Sequence, residues 1–187
     1  MKGTSAGRFG ASRAKDADGG GRRFPAGGIL IPFFSRSGRT RMVAGVIHEL
    51  TGGSLCEIRG EKSYPSDYYE TTAVARREKE TGARPPVSGA LPDLSGIGTV
   101  FLGYPNWWYD MPMVVYSFVE ALDFSGRTVA PFCTSAGSGL SATVETITRM
   151  IPGATVLEGL ALTDREVNGA SVAVTEWLSR LGFARRD

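Results

Sequence analysis

The sequence predicts an α/β protein, a parallel sheet with helices packed on both of its faces. Three observations carry this. The chain has 187 residues, about the length of one domain with its own core. Short apolar runs of strand length alternate with segments whose apolar residues recur at i, i+3, i+4 and i+7. The runs are also continuous rather than alternately apolar and polar, as strands buried on both faces require. Strands and helices in such alternation build right-handed βαβ units.

The elements follow in order. Residues 29–34 form the first strand. Val43, Val46, Ile47 and Leu50 mark one helix face, which Gly52 and Gly53 end. Residues 55–58 are the second strand, and 67–81 a polar helix with a weak apolar stripe. Residues 82–98, rich in Gly and Pro, read as a long connection. The third strand covers 99–104, and Val115, Phe118, Val119 and Leu122 mark the helix after it. The fourth strand covers 128–133, followed by a helix with Leu140, Val144, Ile147 and Ile151 on one face. Residues 155–162 hold the fifth strand, and Val174, Trp177, Leu178 and Leu181 close with a helix. Pro32 and Pro131 fall inside two of these strands. Proline brings no N–H to a ladder, so each is expected near a strand end or at a bulge.

Composition excludes several function classes. No run approaches the roughly 18 apolar residues of a membrane-spanning helix, so no membrane span is expected. His48, Cys56 and Cys133 are the only imidazole and thiols. They are too few for a zinc site of Cys and His or for a disulfide scaffold. No metal site and no catalytic side chain is assigned. His48 reads as a boundary histidine, Cys56 as core and Cys133 as a buried free thiol near the proposed site. Two unpaired thiols fit the cytoplasm. The net charge of +2 is unevenly divided: residues 1–28 hold six basic and two acidic residues, and 29–187 hold fifteen and seventeen. The first segment, with eight glycines, is expected to be a flexible basic tail. Arg22-Arg23-Phe24 resembles part of a twin-arginine signal, but the apolar run after it is short and no small-residue cleavage site follows. The mildly acidic body argues against a nucleic-acid groove.

Ligands of parallel sheets bind beyond the carboxyl ends of the strands, where strand order reverses. The loops there are informative. Ser35-Arg36-Ser37-Gly38-Arg39-Thr40 follows the first strand. Its hydroxyls, its glycine and the free amides of a helix start suit a phosphate, with Arg36 and Arg39 adding charge. Alternatively, Ser37 or Thr40 simply caps the helix. After the third strand, Tyr104-Pro105-Asn106-Trp107-Trp108-Tyr109-Asp110-Met111-Pro112 offers indoles for a flat ligand and an amide for its polar edge. One tryptophan is expected to pack under the following helix and the other to face the ligand. After the fourth strand, Thr134-Ser135-Ala136-Gly137-Ser138-Gly139 is a backbone-rich turn that a planar ring can approach closely. Residues 137–142 also fit G-x-G-x-x-A, with Glu158 about twenty residues on, a weak dinucleotide signal on the wrong strand. A ligand with a phosphate at one end and a flat heteroaromatic ring at the other fits all three loops, and FMN is such a ligand.

With these residues in view, the sequence resembles the flavodoxin-like proteins over about residues 29–183. The resemblance rests on Ser35-x-Ser37-Gly38-x-Thr40, the Tyr104–Pro112 stretch and the run from Pro131 to Gly139. It implies a doubly wound five-stranded sheet of order 2-1-3-4-5 with FMN at the switch point. It implies phosphate contacts from Ser35, Ser37, Gly38 and Thr40, and backbone contacts from Arg36 and Arg39. It implies ring contacts from Pro105, Asn106, Trp107 and Trp108, and from Thr134, Ser135, Ala136, Gly137, Ser138 and Gly139. Three roles then stand open: an oxidoreductase passing electrons from NAD(P)H to quinones or similar small acceptors, a one-electron carrier between redox proteins, and a binding protein that keeps the fold without flavin. Carriers of this kind are strongly acidic, and this body is not, which favours the oxidoreductase. Tyr64, Tyr68 and Tyr69 either roof a substrate pocket or pack the long connection.

Overall fold

The computed structural model describes residues 27–183. The expected tail therefore lies outside the described residues except for Gly27 and Gly28, and Gly28 already opens the first strand. The strands are β1 (Gly28–Phe33), β2 (Ser54–Glu57), β3 (Ile97–Pro105), β4 (Thr128–Ser135), β5 (Thr155–Val156) and β6 (Leu160–Thr163). The helices are α1 (Arg39–Thr51), α2 (Tyr68–Thr81), α3 (Met113–Glu120), α4 (Thr143–Met150) and α5 (Ala170–Leu181). A 3-10 turn, Val167–Gly169, leads into α5. Every pairing between strands is parallel, in the order β2-β1-β3-β4-β5, with β6 also on β4. This is the doubly wound, flavodoxin-like sheet expected. No helix among the described residues is long and apolar enough to cross a membrane.

Side-chain alternation along the central strands divides the core in two. Ile31, Phe33, Phe101 and Phe132 face α1 and α5, meeting Val43, Ile47, Val174 and the fully buried Trp177. Leu30, Val100, Leu102 and Val129 face α3 and α4, meeting Val114, Phe118 and Ile147. Helix ends follow local chemistry. Asp67 caps α2, its side chain accepting from Glu70 N at 2.8 Å. Gly52 closes α1 in the left-handed region, at φ 70°.

The expected fifth strand is two strands. Val129 pairs with Val156, but Phe132 pairs with Leu160, so the edge side gains one residue and breaks between β5 and β6. Pro131 explains the break. Val129 O accepts from Leu157 N and Ser135 O from Asp164 N, so the odd-numbered residues of β4 face this edge. The donor that Pro131 lacks is missing on that side, and Gly159 lies there against the Pro131 carbonyl, where a Cβ would come within 3.1 Å. Pro32 lies one residue before the end of β1. Phe34 N donates to Gly103 O, so Pro32 faces β3, and the β1–β3 register passes from Leu30↔Val100 to Phe33↔Gly103 without a shift.

Two other expectations change. Cys56 is half-buried rather than core, because β2 is an edge strand and exposes even Leu55. Glu158, the acidic residue of the dinucleotide-like pattern, lies in the β5–β6 break and pairs with Arg180 at 2.9 Å. It sits midway along the sheet edge, not beyond the carboxyl ends of the strands.

Candidate functional site

A cleft of about 480 Å³ opens at the carboxyl ends of β1, β3 and β4. The loop after β1 forms one end. Gly38, at φ 90°, is the N-cap of α1 and has no side chain to cap it. Ser37 and Thr40 are therefore not its caps. Ser35 Oγ accepts from Arg41 N at 3.3 Å, two positions into the first turn. The Thr40 hydroxyl is buried and bonded to the Thr134 hydroxyl at 2.9 Å, which ties the first and third loops together. Both arginine head groups are held aside. Arg36 donates to the Ser66 carbonyl at 3.0 Å, and Arg39 Nε pairs with Asp164 at 3.2 Å. Ser35 thus takes the amide of Arg41, while the amides of Arg39 and Thr40 at the start of α1 have no partner among the described residues, an arrangement that suits an anion.

The loop after β3 forms the wall. Trp107 and Asp110 exchange backbone hydrogen bonds of 2.8 and 3.1 Å, closing a two-residue hairpin turn. Its central residues, Trp108 and Tyr109, take φ values of 54° and 63°. Positive φ at both central positions is the pattern usually filled by Asn-Gly, so two bulky aromatics here carry strain. Helix α2 clamps the turn: Lys79 Nζ donates to Trp108 O at 2.6 Å and lies 3.5 Å from Asp110, and Trp108 Nε1 donates to Thr72 O at 2.9 Å. The two indoles differ, though the inner one meets the rings of Phe34 and Tyr64 where packing under the following helix was expected. Trp107 packs edge-on against Phe34 and Tyr64, while Trp108 stays partly exposed with Arg76 over one face. Both line the cleft. Behind them Tyr64 donates to Glu78 at 2.7 Å. Burial and then the Glu78 carboxylate push the Tyr64 hydroxyl far above its ordinary pKa, so it stays protonated. Tyr64 therefore packs the connection and does not roof the cleft.

The loop after β4 is the floor. Ser135 Oγ accepts from the amides of Gly137 and Gly139, fixing the turn. Asn106 binds it to the wall: Nδ2 donates to Gly139 O at 2.8 Å and to Ser141 Oγ at 3.0 Å. These bonds settle the orientation of the amide and leave Asn106 Oδ1 buried with no partner among the described residues. An unsatisfied buried acceptor is costly, and a ligand N–H removes that cost. Cys133 lies beneath, buried, its thiol pushed up to about 12 by burial and donating to Gly139 O. It is an inert thiol at neutral pH.

Twelve of the expected site residues line this cleft: Arg36, Ser37, Arg39, Thr40, Pro105, Asn106, Trp107, Trp108, Thr134, Ser135, Ala136 and Ser138. Ser35, Gly38, Gly137 and Gly139 lie in the same loops without lining it. Sequence reasoning missed Thr71, Thr72 and Ala75 of α2, Tyr109 and Asp164. Asp164 follows a strand end, a position whose loop was open to the same inspection as the others. Of α2, Tyr68 and Tyr69 were open to a pocket role and do line the cleft, whereas Thr71, Thr72 and Ala75 had no such signal, because their place depends on how α2 packs. No group of three or more His, Cys, Asp or Glu residues among the described residues is placed to hold a metal ion.

Solved structures resemble this one closely. A protein of Bacteroides eggerthii described as a flavoprotein matches with a TM-score of 0.73 and 27% identity, over 82% of this chain and 97% of its own. A counterpart from Bacteroides uniformis gives 0.71 and 27%, over 80% and 99%. A flavoprotein of Lactobacillus acidophilus, solved in complex with FMN, gives 0.64 and 24%, over 78% and 99%. No curated protein matches the sequence. The flavodoxin family model matches residues 28–181, from the first residue of β1 to the last of α5. Sheet order, loop positions and this match agree: the chain belongs to the flavodoxin family.

Proposed function

We propose that the cleft binds FMN, and that the protein is a cytoplasmic oxidoreductase passing electrons from NAD(P)H to quinones or similar small acceptors. The carrying observation is the meeting, at one cleft, of a helix start with two unpartnered amides, an indole wall and a buried unpaired amide oxygen. These suit the phosphate, the ring and a ring N–H in turn. The FMN complex of the Lactobacillus flavoprotein supports the cofactor. FMN supplies one- or two-electron redox chemistry when bound. The chain's own part is to bind and aim. The amides of Arg39 and Thr40 and the hydroxyls of Ser37 and Thr40 hold the anion, with Ser35 bracing the loop through Arg41 N, while Trp108 offers its uncovered face and Asn106 Oδ1 accepts a hydrogen bond. The indole face disfavours negative charge on a ring stacked against it, whereas amides of the Ser135–Gly139 turn favour it. The mildly acidic body gives little electrostatic steering toward basic protein partners, which favours a small acceptor over a redox protein. Two thiols without disulfide partners support the cytoplasmic assignment.

The test is the visible spectrum of the purified protein with added FMN, followed by NAD(P)H oxidation with a quinone. A perturbed flavin spectrum and quinone-dependent turnover are expected. Bound FMN with one-electron exchange but no NAD(P)H oxidation would assign the carrier role. A protein that leaves FMN unperturbed would assign a flavin-free binding role.

A further inference from the structure

Nine large hydrophobic side chains are exposed among the described residues, and four of them, all aromatic, stand on the rim of this one cleft. Tyr68 and Tyr69, at the start of α2, are 63% and 79% exposed, and Trp108 and Tyr109, in the hairpin turn that α2 clamps, are 42% and 70%. Single exposed apolar residues are ordinary, but a cluster around a concave site marks a binding surface. None of the Tyr68, Tyr69 and Tyr109 hydroxyls makes a hydrogen bond to another described residue. The two tyrosines of α2 touch each other edge-on, with centroids 5.6 Å apart. Tyr109 has no ring partner among the described residues, and yet it holds a φ of 63°. A turn needed only to reverse the chain is made at lower cost by glycine or asparagine there. Strain kept at a position with no packing reward belongs to a ligand contact.

We infer that Tyr68 and Tyr69 of α2 and Tyr109 of the hairpin turn together form, at the rim of the cleft, an acceptor subsite for a planar aromatic carbonyl compound, a quinone of one or two fused rings. The inference rests on the oxidoreductase reading and deepens it. Aromatic faces at the rim stack on the acceptor ring, and phenol hydroxyls supply donors for its carbonyl oxygens. The site's contribution is binding and orientation. In the overall reaction a hydride from NAD(P)H and one proton from solvent give NAD(P)+ and the hydroquinone, two electrons and two protons in all.

The experiment measures steady-state kinetics with a naphthoquinone for the FMN-loaded wild-type protein, for Tyr68→Ser/Tyr69→Ser and for Tyr109→Ser. All three positions are exposed, so folding is not at stake, and the bound-flavin spectrum checks loading. Both variants are expected to raise KM for the quinone about tenfold, with kcat changed less than about twofold. Tyr69→Phe keeps the ring and is expected to keep most of that affinity. FMN-loaded variants with an unchanged quinone KM would overturn the subsite while leaving the oxidoreductase reading standing. A wild-type protein that binds FMN but reduces no quinone would overturn both, and it is seen before any variant is made.

Discussion

Asn106 shows how one residue is fixed by its neighbours for a ligand. Both of its amide hydrogens are engaged, on Gly139 and Ser141, and its backbone N–H donates to Thr134 O at 2.9 Å. The side chain is therefore held in one orientation, with its oxygen buried and without a partner among the described residues. Asn106→Ala removes that acceptor and also unties the Ser135–Gly139 turn from the hairpin wall. The affinity for FMN is expected to fall about tenfold, the value of roughly one hydrogen bond lost from a preorganised site. Titration of FMN fluorescence quenching measures it. Retained affinity would show that the oxygen faces no ligand donor. At this scale the sequence was readable for residue identity: a lone asparagine at a strand's carboxyl end among aromatics. It could not show that both hydrogens of that amide are taken by residues more than thirty positions away.

Among the elements, the hairpin turn and the β3–β4 pair carry opposite stability effects. Tyr109 holds a left-handed backbone with no ring contact to offset it, so Tyr109→Gly is expected to raise stability by about 1 kcal/mol. Thermal melting measures this, and no gain would mean that the ring is anchored after all. Gly103 lies beneath Phe132, whose ring atoms come within 2.2 Å of where a Cβ would stand. Both strands are buried, so neither side can yield, and Gly103→Ala is expected to cost about 2–3 kcal/mol in denaturant unfolding. The elements themselves were largely legible, because continuous apolar runs and i, i+3, i+4 stripes follow directly from burial on one or two faces. The split of the edge strand was not. It arises from a partner, Pro131 across the ladder, and Gly159 was its only local mark. Cys56 failed as core for a related reason, since period and polarity do not tell an edge strand from a central one.

At the scale of the whole molecule the site exists only because five separated segments meet. Four of them follow strand ends, and a rule of parallel sheets places such ends together, so three were legible in the sequence and the fourth, at Asp164, was open to the same reasoning. The fifth, α2, reaches the cleft through its packing beside α3, and only the tyrosines at its start hinted at that. A ligand seated there bridges both halves of the sheet and both sides of the opening, and it binds the folded chain alone. FMN at a hundred times its dissociation constant then stabilises the fold by about 2.7 kcal/mol. For a chain of this length that raises the melting temperature by about 5–10 °C. Riboflavin at the same concentration, lacking the phosphate, forgoes the contacts at the start of α1 and is expected to give a clearly smaller rise. Equal shifts would mean that the start of α1 does not hold the phosphate. No shift from either compound would mean that the cleft holds no flavin. Differential scanning fluorimetry is confounded by flavin emission, so the comparison is made by calorimetry or by far-ultraviolet circular dichroism.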